Sequence, residues 1–366
     1  MRVLHLIDSL QRGGAEQAAV HLSNALLSRG HQVVLCATRR GGALESECTA
    51  EVVLLGKRSA LDLGAHRRLH EILASRRIEV VHAHSTSLLS ARLALIGLPT
   101  PALIWHDHFG DLASGRRRWP LRLLRRRVDA AIAASRELAE WDRAQLGLTA
   151  DWLPNAVPRP PAQPPLDLDG SPGKRLVCVA NFRPQKDHQT LLAGLAPLLL
   201  EDPELRLFLV GRGGRESTRG QVEKQIADLD LAAQVVLLGE RDDVARILSA
   251  CDIGLLGSRS EGMPLTLVEY GWAELAVLAT EVGQCRELLA QQRGWLVPPG
   301  DPGALETKLR ELLADPGEQR RRARALHDHV RSHFDLGQVA KRLEEIYAEA
   351  RTARCRAVAS RPVDAG

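Results

Sequence analysis

Seven of the chain's 19 prolines fall between residues 154 and 172, in a stretch that also carries Asp169-Gly170 and Ser171-Pro172. Proline holds φ near about −65° and lacks an N–H, so neither a helix interior nor a central strand can run through such a stretch. It reads as a boundary and a semi-rigid tether. On both sides the same alternation recurs: a short apolar run, a polar loop, then a segment with helical spacing. Repeated βα units build parallel sheets covered by helices. With 366 residues, each of two such domains has enough chain for its own core. The expectation is an α/β chain with two doubly wound domains, 1–157 and 174–335, joined by a linker at 158–173.

Composition removes several function classes. Aromatic residues make up 3% of the chain, too few for a carbohydrate-binding module built on Trp platforms or for an RNA reader that stacks bases. The net charge of +4 is small and spread out, which does not favour nucleic acid as a partner. Six cysteines (36, 48, 178, 251, 285 and 355) show no C-x-x-C spacing and mostly stand in apolar segments. They read as reduced, buried thiols in a cytoplasmic protein. The segment Met1 to Asp8 is interrupted too early for the core of a signal peptide, and no run approaches the roughly 20 apolar residues that span a bilayer.

In the first half, Arg2 to Ile7 reads as a strand and about Glu16 to Ser28 as a helix, with Gly13-Gly14 at the turn between them and Gly30 placed to end the helix. The glycines do not follow G-x-G-x-x-G, and no acidic residue closes the second strand in the manner of a dinucleotide site, so NAD is not expected. Two histidine pairs, His82-Ala83-His84 and His106-Asp107-His108, follow strands. Alternating histidines suit a metal, but no third and fourth ligand stands at helical spacing, and no metal is expected. Between Arg116 and Arg127, arginines alternate with Trp119, Leu121, Leu123 and Leu124 and no acid interrupts them. That pattern fits an interfacial helix on anionic lipid, and equally a solvated helix whose leucines pack on the sheet.

The second half carries the sharper signals. The strand Leu176 to Ala180 leads through Asn181-Phe182-Arg183-Pro184-Gln185-Lys186 into a helix from Gln189. With 43 Arg and six Lys in the chain, a lysine at this junction stands out, and a compact ammonium beside a helix N-terminus is a phosphate partner. A second junction joins the buried run Asp252 to Leu256, the loop Ser258 to Pro264 and a helix from Leu265. Ligands of open α/β sheets bind at such carboxyl-edge loops, where the helix start offers unpaired N–H groups. Glu261 and Glu269 bracket this loop, and carboxylates there suit sugar hydroxyls better than phosphate.

The segment Glu261-Gly262-Met263-Pro264-Leu265-Thr266-Leu267-Val268-Glu269 resembles the E-x7-E motif of the retaining glycosyltransferases of family 4. That family has the GT-B fold, two Rossmann-like domains facing across a cleft. Lys186 matches its G-R-L-x-x-x-K; Asn181 fills the usual Arg position, and Arg183 follows two residues later. Gly211 stands in a turn like the family's I-V-G-x-G. Gly14 matches a glycine loop near the donor diphosphate, and Leu153-Pro154-Asn155-Ala156-Val157 is similar to the L-P-N-G-V that closes the first domain. Residues 336–353 resemble the helix that crosses back onto that domain, leaving 354–366 as a disordered tail. His106 resembles a strand-end histidine facing the acceptor, with His84 as second candidate.

The resemblance implies transfer of a sugar, with retention and without a metal or other cofactor, from a UDP- or GDP-sugar to a hydroxyl of a glycan or lipid-linked acceptor. It also implies a place in cell-surface polysaccharide, lipopolysaccharide or exopolysaccharide synthesis, on the inner face of the cytoplasmic membrane if the Arg116–Arg127 segment touches lipid. Lys186, Arg183 and the helix start around Gly262, Met263, Pro264, Leu265 and Thr266 would hold the diphosphate. Glu269 would hold the ribose, Glu261 the hydroxyls near C3 and C4 of the sugar, and His106 the acceptor. There are departures: Glu274 and Ala276 stand where relatives carry Gly and Pro, and Gly283 alone replaces a glycine pair. A left-handed stop at Glu274 costs about 1 kcal/mol, so the helix is expected to end differently. A sugar-nucleotide 2-epimerase of the same fold and a degenerate nucleotide-sugar-binding protein are the alternatives.

Overall fold

A computed structural model describes residues 1–109, 118–161, 163–213 and 217–360, with the backbone alone for 118–120. The chain divides into two compact units, Met1–Pro158 with Phe334–Gly366, and Arg159–His333.

The first unit holds β1 (Arg2–Ser9), β2 (Gln32–Arg40), β3 (Glu51–Leu54), β4 (Val80–His84), β5 (Ala102–Asp107), β6 (Ala130–Ala133) and β7 (Ala150–Trp152). They form one parallel sheet in the order β3-β2-β1-β4-β5-β6-β7. Both faces are covered, which is why β1, β4 and β5 are apolar at successive positions. Leu4 and Leu6 pack with Leu69, Leu73 and Trp105 on one face. Val3 and Ile104 pack on the other with Leu22 and Leu26.

That second face is completed by the last helix, Leu336–Ala359, through Leu343, Ile346 and Tyr347. Asp335 caps it by accepting from the Gln338 N–H at 3.0 Å. The helix runs past the expected end at 353, so the reading of 354–366 as a disordered tail is corrected for 354–359; residues 361–366 lie outside the described ones. Arg354 explains the extension: its guanidinium is buried, donates to the Pro99 carbonyl at 2.7 Å and stands 3.7 Å from Asp129. The expected tether is also packed. Leu168 is buried, the Leu166 N–H donates to the Arg246 carbonyl at 3.2 Å, and the Arg246 guanidinium donates to the Pro164 carbonyl at 3.2 Å. Residues 159–173 therefore belong with the second unit, because the leucines between the prolines find a surface to cover.

The second unit holds β8 (Arg175–Val179), β9 (Arg206–Val210), β10 (Val235–Gly239), β11 (Ile253–Leu256), β12 (Ala276–Thr280) and β13 (Trp295–Val297). These are parallel in the order β10-β9-β8-β11-β12-β13. Strand order reverses between β8 and β11, the switch point where such sheets bind ligands. There the two strands pair only at Ile253–Leu176 and Gly254–Val177 before diverging. Tyr270 enters the gap: a Cβ on Gly254 would come 2.5 Å from its ring. Its hydroxyl accepts from the Val179 N–H at 2.9 Å and donates to the Leu255 carbonyl at 3.1 Å. The loops after β8 and β11 are thereby held apart yet side by side.

The helix Leu265–Trp272 ends in a way that overturns the expectation for Glu274. This residue takes φ +55°, the left-handed stop itself. Its N–H donates to the Gly271 carbonyl, and the Leu275 N–H to the Tyr270 carbonyl at 3.0 Å. Burial of Leu275 against the helix holds the turn despite the side chain's penalty. Glu274→Gly removes an αL cost of about 1–2 kcal/mol at an entropic cost of about 0.5–1, so it should stabilise the protein by about 0.5–1 kcal/mol. Urea unfolding checks this; equal midpoints would mean the strain is relieved elsewhere.

Candidate active site

Two loops, 75 residues apart in sequence, meet at the switch point. After β8 the chain makes a short turn, Pro184–Lys186, and enters the helix His188–Glu201 through Asp187. After β11 it runs through Ser258 and Glu261 into the helix at Leu265. The Arg259 N–H donates to the Gln185 carbonyl at 2.8 Å, and the Arg259 guanidinium pairs with Asp187 at 2.7 Å. These contacts stitch the loops together. The Lys186 ammonium then lies 2.5 Å from Glu261 Oε1, which also accepts from the Ser258 hydroxyl at 2.6 Å. The lysine side chain is 22% exposed and the glutamate 9%, so the pair is open to a ligand from the lysine side.

The surroundings suit an anion and hydroxyls. No side chain caps the N-terminus of the helix Leu265–Trp272, and Pro264 removes one N–H from the turn before it. The Thr266 hydroxyl ties the first turn to the Val179 carbonyl at 3.2 Å. Glu269 sits on the second turn, and burial raises its carboxyl above the usual carboxylate range. Among the described residues it receives no hydrogen bond and faces no cation. Asn181 Oδ1 accepts from the Arg212 N–H at 3.0 Å and so links the loops after β8 and β9. At Gly211 a Cβ would lie 2.0 Å from the Ala180 carbonyl, which explains that glycine as a backbone crossing. Arg183 is exposed, and its guanidinium has no partner among the described residues.

Sequence reasoning singled out Lys186 and Glu261 but missed what supports them: Ser258, the Arg259–Asp187 pair and Tyr270, and it noted Gly283 only as a departure from a glycine pair. Gly283 has φ +48°, and a Cβ there would come 2.1 Å from the Glu261 carbonyl, while the Gln284 N–H donates to the Gly262 carbonyl at 3.1 Å. This single glycine sets the floor under the Glu261 loop.

His188, at the start of the helix after Lys186, is buried and stacks on Phe182 with ring centroids 4.7 Å apart. Burial pushes its pKa down to about 4. A base favoured neutral in the fold adds stability that is fully present above its ordinary value of about 6.5 and is lost as pH falls toward 4. At pH 5 the loss is about 2 kcal/mol. Urea unfolding at pH 7 and pH 5 should therefore show a smaller acid penalty in His188→Leu than in the parent; equal penalties would assign the acid sensitivity to other groups.

The first unit gathers five histidines. In register, His5 pairs with His82 and His84 with His106, all on β1, β4 and β5. His82 and His84, two apart on one strand, face the same side. Their rings stack at 4.3 Å, and His106 and His108 lie at 3.9 Å. His5 is 0%, His84 1% and His106 1% exposed; His108 is half-buried. Burial holds all five below the usual histidine range, His5 and His108 down to about 3. Strand register, which a search for ligands at helical spacing does not see, brings a third histidine beside each pair. Gly14 begins the helix Gly14–Ser28, exposed, with open space where a Cβ would stand. Of the basic segment, Arg116 and Arg117 lie outside the described residues. Leu121 and Leu124 pack on the core, Arg127 pairs with Asp129 at 2.6 Å, and Leu123 is 53% exposed.

Two parallel α/β units, the second with its switch point between β8 and β11, make up the GT-B fold, the fold of a large class of glycosyltransferases. The Anabaena protein HepE, solved in complex with UDP, has that fold: it superposes with TM-score 0.80 at 19% identity, over 95% of this chain and all of that one. Residues 12–159 match the model for Glycosyltransferase Family 4, and 173–315 the model for Glycosyl transferases group 1; the chain belongs to this family. Phosphatidyl-myo-inositol mannosyltransferase of Mycobacterium tuberculosis is 26% identical over 92% of this chain and 93% of its own. One component of the human phosphatidylinositol N-acetylglucosaminyltransferase is 25% identical over 92% of this chain and 73% of its own.

Proposed function

We propose that the protein moves a sugar from a UDP- or GDP-sugar to a hydroxyl of a lipid-linked or glycan acceptor, with retention of anomeric configuration and without a metal in the transfer step. The observation that carries this reading is the 2.5 Å Lys186–Glu261 contact at the switch point. An incoming diphosphate takes over the ammonium, and Glu261, still held through Oε1 by Ser258, offers Oε2 to the sugar's hydroxyls. Exposed Arg183 is free to reach the phosphates, and the uncapped helix start at Leu265 adds N–H donors. Lysine and helix dipole together stabilise the charge that grows on the leaving diphosphate, the work a divalent ion does elsewhere. Glu269 takes the ribose hydroxyls, which satisfies an otherwise unpartnered carboxyl. With front-face attack the departing phosphate accepts the acceptor's proton; His106 belongs to the acceptor side.

A phosphatidylinositol-type acceptor is favoured by the two relatives whose names specify such lipids. Exposed Leu123 between the outward Arg122 and Arg126 offers contact with an anionic leaflet on the cytoplasmic side. No helix among the described residues is long and apolar enough to cross a membrane. The test is calorimetric titration with UDP and GDP, then incubation of UDP- and GDP-hexoses with phosphatidylinositol vesicles, with products read by mass spectrometry and anomeric NMR. Transfer with an α-linked product is expected from an α-linked donor. Binding of neither nucleotide overturns the reading, as does release of a free epimerised nucleotide-sugar.

A further inference from the structure

Of the two His-x-His pairs, the transfer chemistry assigns only His106, on the acceptor side, and leaves the clustering of the rings unexplained. We propose that His84, His106 and His108 form a binding site for a divalent ion of the zinc type. One ligand nitrogen from each of the three lies within 4.8 Å of the others. A tetrahedral zinc sits about 2.0–2.1 Å from each imidazole nitrogen, which places the nitrogens roughly 3.4 Å apart, so no pair need draw in by more than roughly 1.4 Å to close the set. Among the described residues, both ring nitrogens of His106 are buried without a hydrogen-bond partner, which a bound group would satisfy. His84 Nδ1 and His108 Nε2 face each other at 3.0 Å across a single shared hydrogen. An ion would take that proton's place.

The groups behind His84 prepare it as a ligand. His84 Nε2 lies 3.0 Å from His5 Nδ1, His5 Nε2 lies 3.3 Å from the Tyr347 hydroxyl, and that hydroxyl lies 2.6 Å from His82 Nδ1. Donation in that order, from His84 to His5 to Tyr347 to His82, satisfies every link and turns the lone pair of His84 Nδ1 toward His108 Nε2. Orientation of a ligating imidazole through its other nitrogen is the usual support of a zinc site. His108, half-buried, gives the ion its way in, and a water completes the fourth position. The ion would clamp the ends of β4 and β5 and would take no part at the diphosphate, so its presence is independent of the donor reading.

The full chain, stripped with a chelator and dialysed, is titrated with CoCl2 and then ZnCl2. The visible band of tetrahedral cobalt is expected to saturate at one equivalent and to be displaced by zinc, with a zinc-dependent rise in Tm. His108→Ala, the change the fold tolerates most easily, should weaken binding at least about tenfold, as should His106→Ala. His5→Gln, acting only through His84, should weaken it about 10- to 100-fold. His66→Ala, a buried histidine on the helix Leu63–Ser75, should bind as the parent, with circular dichroism confirming each fold. No cobalt band in the parent overturns the site, as does a band unchanged in both His106→Ala and His108→Ala.

Discussion

Lys186→Ala is expected to lower kcat/KM by about 10²–10³ and to weaken binding of UDP or GDP, because it removes a partly buried cation at the switch point. The effect has two parts. The leaving diphosphate loses an ammonium, and Glu261, only 9% exposed, keeps its negative charge with Ser258 as its remaining partner. A carboxylate left unpaired beside an arriving phosphate repels it, so the loss exceeds that of one hydrogen bond. Lys186→Arg should recover part of the binding but less of the rate, since a planar fork cannot occupy the place of a compact ammonium 2.5 Å from Glu261. Combining Lys186→Met with Glu261→Gln separates the two parts: if repulsion by Glu261 matters, the double change binds nucleotide better than Lys186→Met alone. Unchanged nucleotide affinity in Lys186→Ala would put the phosphate site elsewhere.

Gly283→Ala is expected to be the most damaging single methyl group in the second unit. The backbone there has φ +48°, and the added Cβ would meet the Glu261 carbonyl at 2.1 Å. The conformational cost alone is about 1–2 kcal/mol, and the clash is with backbone, which cannot rotate away. The loop that carries Glu261 must shift, so urea unfolding should show a loss of about 3 kcal/mol, and transfer activity should fall even in the folded fraction. Gly14→Ala supplies the contrast: φ there is not left-handed and the space is open, so stability should hold. Equal stability of Gly283→Ala and the parent would mean that the turn has an alternative conformation.

The sequence already separated the two sheets, because strand and helix periods and proline breaks are local properties. It also named Lys186 and Glu261, since each stands at a strand-to-helix junction where such folds bind ligands. It misjudged Glu274: propensity predicts that a non-glycine avoids the left-handed stop, yet burial of Leu275 outweighs about 1 kcal/mol of local strain. It ended the last helix too early, because the burial of Arg354 against Pro99 and Asp129 depends on a surface made by residues far up the chain.

What the sequence by itself determined, then, was the βα alternation, the break between the units and the residue types at the two junctions. Only the tertiary structure decided that Lys186 and Glu261 touch, that Tyr270 parts β8 from β11, and that four histidines from three strands share one face, with His108 just beyond β5. The physical reason is that strand order and register are set by the summed burial of whole sheet faces, a quantity no local window of residues contains.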